Sequence, residues 1–153
     1  LPGTNLSRIL KTFHLLIASK ITFYVFFRPK NKSIFGVHDP IGLRYLFQLR
    51  VSLSPLRCHK FRHNFIDTPS DICLCKQGVE DTSHFLFFCP FFAIQRATLI
   101  NNVNEILLIN NLNHLGNQPE LYLYGNDSIN FVDNRKILIS TLKYIKDSRR
   151  FST

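Results

Sequence analysis

The stretch "CLCKQGVEDTSHFLFFCP" occupies residues 73–90 and places three of the four cysteines of the chain close to a histidine. The candidate metal ligands in this stretch are Cys73, Cys75, His84 and Cys89. Zinc in proteins is held in a tetrahedron by Cys thiolates and His nitrogens. Four such ligands leave no open position for water, so the pattern predicts a structural Zn²⁺ site rather than a catalytic one.

The spacing of the last two ligands requires the chain to change direction. Five positions on a continuous α-helix would set His84 and Cys89 about 140° apart. Pro90 favours extended backbone in the residue before it, so we expect the helix to break before Cys89 and turn it back toward His84. Gly78 permits a sharp turn between the two ligand pairs, and Thr82 is expected to cap the short helix that carries His84.

Two other interpretations compete with the metal site. An even number of cysteines fits a disulfide framework, but no secretory signal is recognised and small stapled domains carry more cysteines. The cysteines could also be buried thiols beside a core histidine. The single residue between Cys73 and Cys75 is shorter than the usual two to four. Substitution of one of them as a ligand by Cys58, His59 or His63 therefore stays open.

The charge of the chain is unevenly distributed. The net charge is +9; residues 1–76 contain twelve Lys or Arg and three Asp or Glu, whereas residues 77–153 contain seven of each. A one-sided basic field favours a polyanion, because neutralised phosphates release condensed counterions. Nucleic acid is therefore the predicted partner, and no small-molecule substrate is expected. The candidate contact residues are Arg44, Arg50, Arg57, Lys60, Arg62, His63 and Lys76.

The N-terminal part of the sequence has no assigned role. Its apolar stretch from Thr12 to Phe27 has sixteen residues and includes His14 and Lys20. A membrane-spanning helix needs about 20 apolar residues, so we interpret the stretch as a buried helix or strand pair and expect no membrane contact. The sequence contains no Met and begins Leu-Pro-Gly-Thr, which suggests a fragment of a longer reading frame.

We refer to residues 73–90 as the metal segment. The sequence divides into three parts: an unassigned segment with a basic linker (1–36), basic helices with the metal segment (37–109) and a C-terminal tail (110–153). The predicted fold is mainly α, with short helices around a small irregular zinc-binding insert. Asp39 and Pro40 mark one helix start. Ser54 and Pro55 repeat this signal before a basic helix over Leu56–Phe65.

Three elements are predicted after the metal segment. A helix follows Pro90. The residues Leu121–Tyr124 form a candidate short strand in an Asn-rich region. The last helix covers Asp133–Arg149, with Asp133 as its cap and basic residues at its C-terminal end.

Five phenylalanines surround the last cysteine: Phe85, Phe87, Phe88, Phe91 and Phe92. A platform for single-stranded nucleic acid would use such rings to stack bases. The interpretation we favour is a small core over the metal, since a short metal loop needs apolar cover. One or two rings, Phe91 or Phe92, are expected to stay exposed.

The Cys-Cys-His-Cys order ending in "HFLFFCP", with Arg96 six residues later, resembles the zinc-binding segment downstream of the polymerase in non-LTR (LINE-type) retrotransposon reverse transcriptases. The preceding "LFQLRVSLSPLRCHKFRHNF" resembles the basic stretch that leads into that segment. The residues "LYLYG" and "RKILISTLKYIKDSRRF" look like the end of such a reading frame.

The resemblance implies zinc binding and a role in engaging RNA or DNA during target-primed reverse transcription, in an intracellular setting. The polymerase's adjacent aspartate pair has no counterpart, because the sequence contains no Asp-Asp. The chain by itself is therefore expected not to be an enzyme. The alternative is a zinc-folded protein-interaction module whose basic residues only keep the chain soluble.

Overall fold

The computed structural model describes Ile34 and residues 36–152, which belong to one compact unit. These residues are 59% helical and contain no strand, so the predicted mainly-α fold is confirmed. The α-helices are α1 (Pro40–Arg50), α2 (Arg57–Arg62), α3 (Ala93–Ile109), α4 (Pro119–Tyr124) and α5 (Phe131–Asp147). A π-helical turn (His84–Phe88) and two 3₁₀ turns (Pro90–Phe92 and Asn113–Leu115) complete the set.

Helix α1 begins where the sequence predicted. The side chain of Asp39 accepts a hydrogen bond from the Gly42 N–H at 2.9 Å, and Pro40 occupies the first helical position. The buried residues that follow, Tyr45, Leu46 and Leu49, recur at three- and four-residue spacing and form one face. This face packs against α5.

The core lies where α5 contacts α1, α3 and α4. Helix α5 contributes one continuous buried face: Ile137, Leu138, Thr141, Leu142, Tyr144 and Ile145. Helix α3 meets it with Leu99, Val103, Ile106 and Leu107. The C-terminal helix is therefore the central support of the described fold, and the metal segment packs against the same core.

The predicted strand at residues 121–124 is wrong, because this segment is helix α4. Pro119 stands at the first helical position, and Gly125 follows the helix with φ +74°. Leu121, Tyr122 and Leu123 are all buried in succession. Proline at the start and glycine after the end are helix signals, and they outweigh the alternating apolar pattern.

Two predicted helix caps are also wrong. Helix α5 is capped by Asn130, whose side chain accepts a hydrogen bond from the Asp133 N–H at 2.9 Å. Asp133 therefore lies inside the first turn, where its carboxylate bonds to the Lys136 side chain. Helix α2 is shorter than predicted, and Ser54 does not cap it. The Ser54 hydroxyl instead bonds to His59 Nδ1 at 2.7 Å.

The apolar stretch 12–27 lies outside the described residues. Within the described part of the chain, no helix combines the length and the apolar character needed to cross a membrane.

Candidate metal centre

Cys73 and Cys75 lie in a tight turn between two paired residues. Ile72 and Val79 form an isolated antiparallel bridge, and the Cys73 N–H donates to the Gly78 carbonyl at 2.8 Å. The turn needs left-handed backbone, with φ +62° at Lys76 and φ +154° at Gly78. Only glycine adopts the second value without strain. The predicted sharp turn at Gly78 is confirmed. Both closely spaced cysteines lie within this turn.

His84 and Cys89 lie at the two ends of the π-helical turn. The Cys89 N–H donates to the His84 carbonyl at 2.8 Å. A π turn closes between residues five apart, so it sets these two residues nearly above one another, unlike an α-helix. Cys89 itself is extended (φ −63°, ψ 121°), which confirms the predicted break before Pro90. The cap is Asp81 rather than Thr82: its carboxylate accepts from the His84 N–H at 2.7 Å.

The four predicted ligand atoms converge on one point. The three sulfur atoms and the histidine nitrogen all lie within 4.8 Å of one another. The Sγ atoms of Cys73 and Cys89 are 3.7 Å apart, and Cys75 Sγ lies 3.2 Å from His84 Nε2. Tetrahedral zinc with Zn–S bonds of about 2.3 Å separates two sulfurs by about 3.8 Å. The cluster is therefore close enough to hold a metal ion.

All the cysteines are free thiols, so the disulfide interpretation is wrong. Burial raises the pKa of Cys73 to about 12 and also raises the pKa of Cys89. At Cys75 burial acts in the same direction, but hydrogen bonds from the Gln77 N–H and the neighbouring thiols outweigh it and lower the pKa. A bound cation deprotonates a coordinating thiol outright. A cation bound at this site would therefore displace the protons of Cys73 and Cys89, although burial favours their protonated form.

The alternative ligands are not in the cluster. His59 is buried and bonds to Ser54; burial, with the charges of Arg62 and His63, lowers its pKa to about 4. Cys58 lies on α2, where its sulfur accepts a hydrogen bond from Arg62 at 3.7 Å. His63 follows α2 and is exposed. The structure therefore brings both Cys73 and Cys75 into the cluster, as the sequence predicted, and none of the three alternative ligands replaces them.

Rings anchor the metal segment to the core. Phe85 is fully buried, and its ring centroid lies 5.0 Å from that of Tyr144 on α5 and 5.2 Å from that of Phe92. The Tyr144 hydroxyl also donates to the Phe85 carbonyl. These contacts agree with the expected core over the metal. Phe91 is exposed, as expected, whereas Phe92 is buried and Phe88 is the other exposed ring.

A buried ion pair that the sequence did not predict lies beside the centre. Glu80 is 2% exposed, and both its carboxylate oxygens accept from the Arg150 guanidinium, at 2.6 and 2.7 Å. One of these oxygens also accepts the Arg57 N–H at the start of α2, at 2.7 Å. Glu80 thus serves as the cap that α2 lacks locally. No local signal could reveal this, since Arg150 is seventy residues away in sequence.

Three of the seven candidate nucleic-acid contacts have side chains that are partly buried or paired with other groups of the fold. Arg50 donates to the Leu123 carbonyl with two nitrogens, and burial lowers its pKa to about 10, so it remains a cation at neutral pH. Arg57 Nε is buried, and no described group accepts a hydrogen bond from it. Lys60 pairs with Asp67.

The other four candidates are accessible. Arg44, Arg62, His63 and Lys76 are all exposed. The Arg44 guanidinium lies 5.0 Å from the centroid of the Tyr45 ring. Lys76 directly follows a ligand cysteine. The accessible positive charge among the seven candidates is therefore sparser than the sequence suggests.

Comparison with protein-family models, with curated proteins and with solved structures gives no match. The assignment of a function therefore depends on the site itself.

Proposed function

We propose that the chain is a zinc-stabilised nucleic-acid-binding module, the C-terminal remnant of a non-LTR retrotransposon reverse transcriptase without its polymerase core. The observation that carries the proposal is the Cys-Cys-His-Cys cluster, whose ligand atoms lie within 4.8 Å. Three thiols and an imidazole form a soft donor set that suits zinc, and hard cations such as Mg²⁺ prefer oxygen. A bound ion would cross-link the four ligand residues and would have a structural rather than a catalytic role.

The chain's own residues then present polar and cationic side chains next to a rigid centre. Arg62 and His63 lie at the end of α2, and the start of α2 is tied to the metal loop through Glu80. Lys76 lies in the metal turn itself. Such side chains would contact phosphates, which position a nucleic acid without reading its sequence.

The proposal is tested by changing the accessible cations. Arg44→Ala, Arg62→Ala and Lys76→Ala together should weaken binding of the zinc-loaded chain to unrelated RNA and DNA sequences. The slope of log K against log salt concentration should fall by roughly two to three, at ~0.7–0.9 per lost phosphate contact. The matched control, Lys136→Ala, Lys143→Ala and Arg149→Ala, removes the same charge from exposed residues of α5 and its end.

Equal weakening by both triple variants would show that only net charge matters.

Binding that does not respond to salt would favour the second candidate function, a zinc-folded protein-interaction module. The observation in favour of that candidate is the exposure of large apolar side chains on α3, namely Ile94, Leu108 and Ile109.

A further inference from the structure

Exposed apolar side chains surround the metal centre. Leu74 is 68% exposed, Phe88 67% and Phe91 61%. Each lies within two positions of a ligand cysteine. Because the ligand atoms lie within 4.8 Å of one another, all three side chains begin from one small region of the surface. Burial in the core accounts for Phe85 and Phe92 but not for these rings.

The Phe88 ring is supported from behind. Its centroid lies 6.1 Å from that of Phe87, with the rings inclined at 71°. Phe87 in turn packs on Tyr122 of α4 at 5.2 Å, again edge to face. A ring that is fixed by its neighbour and open to solvent is already arranged for stacking, so little conformational entropy is lost when a planar group binds.

The chain segments that carry these rings contain few charged side chains. Residues 72–79 and 82–104 contain no Asp or Glu, and their only Lys or Arg are Lys76 and Arg96. Acids also flank these segments: Glu80 pairs with Arg150, Asp81 accepts a hydrogen bond from the His84 N–H, and Asp71 stands next to Ile72. A zinc ion with three thiolates and a neutral imidazole has one net negative charge. Lys76, next to the ligand Cys75, is an exposed cation beside this site.

We propose that Phe88 and Phe91 stack on the unpaired bases of a single-stranded nucleic acid while Lys76 contacts its backbone. The inference rests on the proposed function and narrows it from nucleic acid in general to single strands. Aromatic rings stack on any base because every base has a π-face, which gives sequence-tolerant binding. In a duplex these faces are already stacked on neighbouring base pairs, so the rings would gain nothing from them.

The test compares single-stranded and duplex binding by the zinc-loaded chain. The variants are Phe88→Leu, Phe91→Leu and the double variant, which keep an apolar side chain and remove the ring. The probes are an oligothymidylate strand and a blunt-ended duplex without unpaired bases, and binding is followed by fluorescence anisotropy. Affinity for the single strand should fall roughly tenfold for each ring lost, whereas duplex affinity should not change. The matched control is Phe131→Leu, an exposed phenylalanine on α5.

A second readout reports the stacking itself. A 2-aminopurine in the strand should lose fluorescence on binding to the unmodified chain and recover it with the double variant. Equal loss of single-strand and duplex affinity, or single-strand binding unaffected by the double variant, would overturn the inference and leave the proposed function standing. An unmodified chain that binds neither probe would overturn both. Self-association abolished by the double variant, with unchanged strand binding, would assign the rings to a second copy.

Discussion

At the scale of single residues, the metal centre separates cysteines that look alike in sequence. Cys89 is buried with its sulfur 3.7 Å from that of Cys73, whereas Cys58 lies on α2 outside the cluster. Loss of a ligand removes metal-binding free energy, and that free energy is folding free energy for a structural site.

We therefore expect Cys89→Ser to abolish zinc binding and to lower the free energy of unfolding by about 4 kcal/mol or more. Cys58→Ser should retain about one zinc per chain. Native mass spectrometry measures the metal content, and thermal unfolding measures the stability. A Cys89→Ser protein that keeps its metal would remove Cys89 from the ligand set.

The Glu80–Arg150 pair gives a second prediction at this scale. Breaking a buried, hydrogen-bonded ion pair leaves an uncompensated charge, so Glu80→Gln should cost about 3–5 kcal/mol of unfolding free energy in urea titrations. The control is Asp67→Asn, which breaks the exposed pair with Lys60 and should leave the free energy of unfolding almost unchanged, because solvent screens an exposed pair. Similar effects of the two substitutions would mean that burial does not strengthen the pair.

At the scale of secondary-structure elements, α1 is secured at its start by one carboxylate with two roles. Asp39 caps the helix, and it also accepts a hydrogen bond from Lys146 of α5, which is the main reason that its pKa lies below the ordinary value. Since the pKa is lower in the folded state, the stabilisation is present above the pKa of the unfolded state. It is lost as the pH falls through the folded pKa.

Asp39→Ala should lower the free energy of unfolding by about 1 kcal/mol at neutral pH through loss of the cap. Asp39→Asn keeps a capping side chain and should lose only the ion pair. Denaturant titrations at several pH values should therefore show the unmodified chain and Asp39→Asn converging in acid. A difference between them that does not change with pH would contradict this account.

The elements also show what a sequence can predict in physical terms. Asp39 with Pro40, and Cys89 before Pro90, are local steric and capping signals, and both acted as predicted. The helix Pro119–Tyr124 was predicted as a strand because a run of four apolar residues fits the periodicity of a strand as well as that of a helix. The contacts of Glu80 with Arg150 could not be predicted, because they arise from packing of distant elements.

At the scale of the whole molecule, the metal segment and the helices share one core. Cys73, Phe85 and Cys89 belong to the same buried cluster as Leu142 and Ile145 of α5. The metal should therefore stabilise more than its own loop. Local opening is also expected to be largest where regular hydrogen bonds are fewest, in the turns that hold the ligands.

Removal of zinc by a chelator should thus raise amide hydrogen exchange most strongly in residues 71–96. Smaller increases should follow at Arg57 and Arg150, which both contact Glu80. Hydrogen-exchange mass spectrometry before and after chelation measures this pattern. A metal-free chain with unchanged protection over residues 71–96 would end the metal hypothesis.

The long separation between Glu80 and its partner has a consequence for synthesis on the ribosome. The four metal ligands are complete once Cys89 has been made, but Arg150 follows Glu80 by seventy residues. At ~5–20 residues per second, the roughly 60 residues between Cys89 and Arg150 take about 3–12 s. During this interval the nascent metal loop can take up its ion by local closure alone, while the Glu80 carboxylate stays hydrated. The four ligands are then complete before α5, which shares a buried core with them, has been made.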